Sequence, residues 1–220
     1  PLMYKLLLIS FLLCSWGTEA QVGVKLVTTI PQNKISERNT NNQLFPFLAG
    51  VGMDYWFRLK KYRLEFFPSI QFQYAHEKVT LSDASQGALN WSVIDFTPIL
   101  QFYPLDFKND CMCPTFSKQG QFLKKGLFIQ LAPGIAHSNL KGKNTEVDHI
   151  SNWMGLARAG AGIDIGISDL ITISPAVNYQ FAQSLNWSSF FTSSASADIN
   201  VYSGLFLSAR IGWRFDRKNY

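Results

Sequence analysis

The sequence predicts an all-β chain, an eight-stranded antiparallel up-and-down transmembrane β-barrel. Three observations point there: apolar and polar residues alternate with a period of two, the alternating stretches are long, and tight turns alternate with long polar loops. A period of two gives a strand one apolar and one polar face, whereas an amphipathic helix needs 3.6. Globular strands centre on about five or six residues, and a strand crossing a bilayer at a 45° tilt needs about 9–11. Many stretches here run to about 14 residues, enough to cross and protrude.

Composition agrees with one folded domain of unusual surface. The chain has 220 residues, 47% hydrophobic and only 16% charged, with net charge +5. Soluble domains average about 25% charged residues. Disorder is excluded by the ordinary apolar content. No internal run of about 18 apolar residues exists, so a helical span is excluded as well. The basic residues are dispersed rather than clustered, which argues against a nucleic-acid partner.

Taken in order, residues 1–20 read as an export signal. Lys5 precedes the apolar run Leu6 to Leu13, and Thr18-Glu19-Ala20 suits cleavage before Gln21. A buried N-terminal helix is the alternative. Bulky Leu13 stands before Cys14 where lipid attachment wants a small residue. Cleavage removes one base, Lys5, and one acid, Glu19, so the remaining chain, residues 21–220, keeps its net charge of +5.

That remainder holds eight alternating segments, at about 21–30, 45–58, 63–76, 91–104, 125–138, 152–167, 170–182 and 197–215. In the second, Phe47, Ala49, Val51, Met53, Tyr55 and Phe57 share one parity, and Gly50, Gly52, Asp54 and Arg58 the other. In the third, Leu64, Phe66, Ile70, Phe72 and Tyr74 oppose Glu65, Ser69, Gln71 and Gln73. Tight turns at 59–62 and 168–169 lie on one side. Long polar loops at 31–44, 77–90, 139–151 and 183–196 lie on the other, the extracellular side of an outer-membrane barrel. Residues 105–124 form a long connection on the short-turn side, an exception to the rule.

With the apolar parity facing lipid, the charges fall on the other. An Arg or Lys near the lipid midplane costs about 2–4 kcal/mol, which explains the segregation. Eight strands leave an interior that side chains just fill. Asp54, Glu65, Asp95 and Asp164 facing Arg58, Arg158, Arg210 and Arg214 would then form a charge network plugging the lumen, because unpaired charge in a dry interior is expensive. A narrow ion channel through that network is the alternative reading.

Aromatic residues mark the two interfaces where girdles are expected. Trp91, Trp153 and Trp187 each follow an Asn on the long-loop side, and Tyr55, Phe57, Phe102, Trp213 and Phe215 fall on the turn side. Asn90-Trp91-Ser92 and Asn186-Trp187-Ser188 also match a glycosylation acceptor, a reading that lapses in a bacterial export context. Pro68, Pro98, Pro133 and Pro175 sit inside four strands, where each removes a ladder hydrogen bond and is expected to form a belt of bulges.

The ordering of signal, alternating strands, Asp95-Phe96-Thr97-Pro98-Ile99-Leu100, the Cys-Met-Cys-Pro connection and closing Gly212-Trp213-Arg214-Phe215 resembles the small bacterial outer-membrane β-barrel domain family, with its PorT-like and OmpA-membrane-domain-like members. The resemblance implies an integral outer-membrane protein among outer-membrane lipid and lipopolysaccharide, with a structural, anchoring or protein-secretion accessory role. It also implies recognition by the barrel-insertion machinery through Gly212 and Phe215, although five residues follow that Phe. A periplasmic or secretion-system partner would meet residues 105–124.

Few residues suggest chemistry. Cys111 and Cys113 are two ligands where a structural zinc wants four, so no metal is expected. Three readings stay open for them: a strained internal bridge, a bridge to a partner, or free thiols. Gly160 to Gly166 lacks the Lys and following helix of a phosphate loop and reads as small residues thinning a barrel wall. His149-Ile150-Ser151-Asn152 is similar to the His-x-Ser-Asn stretch of outer-membrane lipid A deacylases, and His149 and Ser151 share a strand face as base and nucleophile require. A lipid A-modifying hydrolase is therefore the enzymatic alternative. Asp164, about 13 residues further on, is too distant to orient that His. The expectation is a non-enzymatic barrel without cofactor.

Overall fold

The computed structural model describes residues 21–32, 45–58, 64–80, 86–106, 126–143, 149–168, 170–184 and 201–214. Residues 1–20, Cys111, Cys113, most of 105–124, Trp187 and Phe215 lie outside them. Among the described residues the strands are β1 (Gln21–Pro31), β2 (Leu48–Arg58), β3 (Leu64–Thr80), β4 (Gln86–Phe102), β5 (Leu127–Lys143), β6 (His149–Ile163), β7 (Ile165–Gly166), β8 (Ile171–Ser184) and β9 (Val201–Arg214). A 3-10 turn, Pro104–Asp106, follows β4. β7 continues β6 beyond Asp164 in one register, from Gly162↔Ala176 to Ile165↔Ile173, so the two make one stave.

Each stave pairs antiparallel with its chain neighbour, and β1 closes on β9 from Gln21↔Arg214 to Pro31↔Gly204. The eight staves form a closed up-and-down barrel. Closure leaves no open sheet edge, the condition for strands to cross hydrocarbon. Along β1 the pattern is strict: Val24 and Leu26 point out, while Gly23, Lys25, Val27 and Thr29 are buried inside.

Two hairpins are taller than the sequence suggests. The expected loops 77–90 and 139–151 are largely strand: β3 and β4 pair out to Thr80↔Gln86, and β5 and β6 to Lys141↔His149. Apolar alternation fades there because neither face of a protruding hairpin needs to be greasy, yet the backbone ladder continues regardless of side chain.

The four prolines also depart from expectation. None creates a bulge. The β2–β3 ladder is interrupted between Asp54↔Ser69 and Phe57↔Phe66 beside Pro68, and β4–β5 between Phe96↔Ile135 and Leu100↔Leu131 beside Pro98 and Pro133. Pro175 lies at the β6–β7 break. Both strands of each pair advance by equal numbers across the gap, so register survives. Each ring points outward, and the missing N–H leaves a ladder position open where a bulge would have needed an extra residue.

The outer wall is a continuous apolar belt. Leu26, Val51, Met53, Ile70, Phe96 and Val177 on five staves are 49–65% exposed. Soluble monomers rarely expose apolar patches above a few hundred Å². A belt encircling a closed barrel is a surface for acyl chains.

Candidate functional site

The lumen is built in three layers, each set by inward parity. The layer at the loop end is apolar. Phe45, Leu48, Leu89, Trp91, Leu156 and Tyr202 pack there, with the Trp91 ring 5.3 Å from Phe45 and edge-on to Tyr202 at 5.4 Å. Trp91, expected at the lipid interface, is thus inside: it is 8% exposed and its indole N–H donates to Ser138 Oγ at 2.7 Å. The reason is parity, since the alternation that sends Asp95 inward sends Trp91 with it. The plug is therefore only partly polar.

The middle layer holds three ion pairs among the described residues, Arg158–Asp95, Arg210–Asp54 and Lys25–Asp54. Arg158 donates from both terminal nitrogens to Asp95, at 3.1 and 2.8 Å, and from Nε to Gln180 at 2.7 Å. Its guanidinium lies 4.0 Å over the Phe206 ring. Arg210 Nε donates to Asp54 Oδ1 at 2.8 Å, while Lys25 Nζ stands 3.6 Å from the other oxygen. Gly23 makes that arrangement fit. A Cβ there would fall 2.5 Å from both Arg210 Nε and Asp54 Oδ1. Amides knit the layer together, with Gln101 donating to Gln130 at 3.1 Å and Gln130 to Asn178 at 2.5 Å.

The turn-end layer converges on Tyr103, which is fully buried just past β4. Its hydroxyl lies 2.9 Å from Glu65 and 2.7 Å from Asp164. Trp56 donates to Glu65 at 2.9 Å and Ser174 to Asp164 at 2.5 Å. Among the described residues, Asp54 and Asp95 meet arginines, and Glu65 and Asp164 meet hydroxyl and indole donors. Arg58 and Arg214 are placed by backbone, at the turn ends of β2 and β9, and their side chains lie outside the described residues. Tyr103, Gln101 and Gln130 were not singled out from sequence. The inward parity of β4 and β5 was the available signal. Gly160 and Gly162 face inward, where a Cβ at the first would meet Asn178 and at the second Phe128.

Among the described residues, two cavities in the lumen measure about 10 and 20 Å³. Each has room for about one water molecule, not for a file of hydrated ions.

Outside, Trp153 and Trp213 are 55% and 37% exposed on the lipid-facing parity, and Tyr55 packs beside Phe57 at 4.6 Å between ring centres. His149 and Ser151 do share the outer face of β6. Ser151 Oγ, however, lies 3.0 Å from Nε2 of His137, on the neighbouring strand. Trp153 sits edge-on to that imidazole at 4.9 Å. Sequence spacing along one strand picked His149 because cross-strand register was not yet visible.

No family model and no curated protein matches the sequence. Solved structures do match. Neisserial surface protein A shares 10% identity at a TM-score of 0.50, over 90% of this chain and 98% of that one. Ail of Yersinia pestis shares 12% identity at 0.43, over 90% and 100%, and OprG of Pseudomonas aeruginosa 10% at 0.44, over 90% and 96%. The first likeness carries the fold. With the closed eight-stave wall and the encircling apolar belt, the chain is an outer-membrane β-barrel protein.

Proposed function

We propose that this barrel is sealed and works through its surfaces, as a non-enzymatic structural or anchoring component of the outer membrane or as an accessory to protein secretion, in the manner of the PorT-like proteins its sequence resembles. The carrying observation is the filled lumen: among the described residues, an apolar layer, three buried ion pairs and a hydroxyl–carboxylate cluster surround cavities of about 10 and 20 Å³. Reconstituted in planar bilayers, the protein is expected to show no steady conductance steps in molar salt. Stable, charge-selective steps would instead establish a channel.

The accessory role is assigned to the turn side, where residues 105–124 stand in the sequence between β4 and β5. Removing that segment is expected to abolish co-purification of a periplasmic partner from detergent-extracted membranes while leaving the heat-dependent gel shift of a folded barrel unchanged. Unaltered association after the deletion would remove the accessory role.

A further inference from the structure

The outer wall changes chemistry in steps along the tall β3–β6 side. Its midplane rung is Ile70, Phe96 and Ile135, aligned across three strands and about half exposed. One outward rung higher come Phe72, Ile94, His137 and Trp153. The next is Tyr74, Ser92, Asn139 and Ser151, wholly hydrogen-bonding. Above it stand His76, Asn90, Lys141 and His149, and beyond that Lys78 and Lys143. Successive outward residues on a strand are about 6.6 Å apart, so the passage from grease to cation takes about 13–20 Å of strand.

Several of these groups are held in place. Asn90 Oδ1 accepts from Tyr74 at 2.7 Å and lies 2.7 Å from His76 Nδ1. His137 is fixed by Ser151 and Trp153. The opposite wall at the loop end differs: Tyr179, Phe181 and Gln183 on β8, Leu205 on β9 and Ile30 on β1 carry no charge. Among the described residues, no carboxylate shares the outward face of the β3–β6 patch.

We propose that this one-sided patch binds the phosphate-bearing headgroup of an outer-leaflet lipid. Acyl chains lie along Ile70, Phe96 and Ile135, linkage amides and hydroxyls meet the Tyr74–Ser151 rung, and phosphate meets Lys141, Lys143 and Lys78. The order of chemistries along the wall is the order along such a lipid, and its charge complements theirs. Continuity with the apolar belt distinguishes it from a site for a soluble anion. The assignment needs the membrane span but not the sealed lumen, so it stands or falls separately from the conductance result.

The test measures retention of lipid A by native mass spectrometry of the full barrel in zwitterionic detergent. The same lipid, enzymatically dephosphorylated, serves as the paired probe and needs no variant. The wild-type barrel is expected to hold the phosphorylated form about tenfold more tightly. The triple variant K78Q/K141Q/K143Q, whose side chains are all exposed, is expected to lose that preference while keeping its heat-dependent gel shift. Equal retention of the two probes by the wild type would overturn the proposal. So would a preference that survives the triple substitution, or one erased by millimolar inorganic phosphate, which would mark a site for the free anion.

Discussion

Replacing Asp95 by Asn is expected to destabilise the barrel by about 3–5 kcal/mol, measured as the urea midpoint of unfolding from phosphatidylcholine vesicles. Asp95 is 1% exposed and Arg158 4% exposed. Removing the carboxylate charge leaves a guanidinium in a lumen with almost no water to solvate it. Its remaining partners, Gln180, Thr97 and the Phe206 face, are neutral. Adding Arg158→Met should recover most of the loss, because the cost lies in the uncompensated charge rather than in the absence of the pair. If the double variant is as unstable as the two single losses summed, the pair is not a coupled unit and the description of the middle layer is wrong.

The second large effect tests the other face. Met53 is 56% exposed at the middle of β2, flanked by Val24 and Ile70. Met53→Arg should cost about 2–4 kcal/mol in bilayers, since acyl chains cannot solvate the guanidinium. His76→Arg, six residues above the midplane on β3, should cost only about 0–1 kcal/mol by the same depth dependence. The contrast is the diagnostic. Two equally mild substitutions would mean that water, not lipid, covers the Met53 row.

Much of the fold was legible from alternation alone. Lipid and lumen make opposite demands on successive residues, so hydrophobicity with a period of two is imposed wherever a strand crosses hydrocarbon. That is why all eight staves and the inward parity of Asp54, Glu65, Asp95 and Arg158 could be read directly. The signal fails where the demand ceases. Above the membrane, β3–β6 persist on backbone bonds, and polar stretches such as His76 to Thr80 look like loop. It fails too for Trp91, because a girdle and an apolar lumen cap both take Trp, and only parity separates them.

By itself, the amino-acid order determined that the chain is a membrane barrel and that Asp54, Glu65, Asp95 and Arg158 point inward, because these follow from local periodicity. Only the tertiary structure decided which inward groups meet. Asp95 and Arg158 are 63 residues apart, and Asp54 and Arg210 are 156. Their encounters depend on barrel closure and on register between strands. Ser151 lies against His137 rather than His149 for the same reason, since cross-strand neighbours are set by hydrogen-bond pairing and not by spacing along one strand.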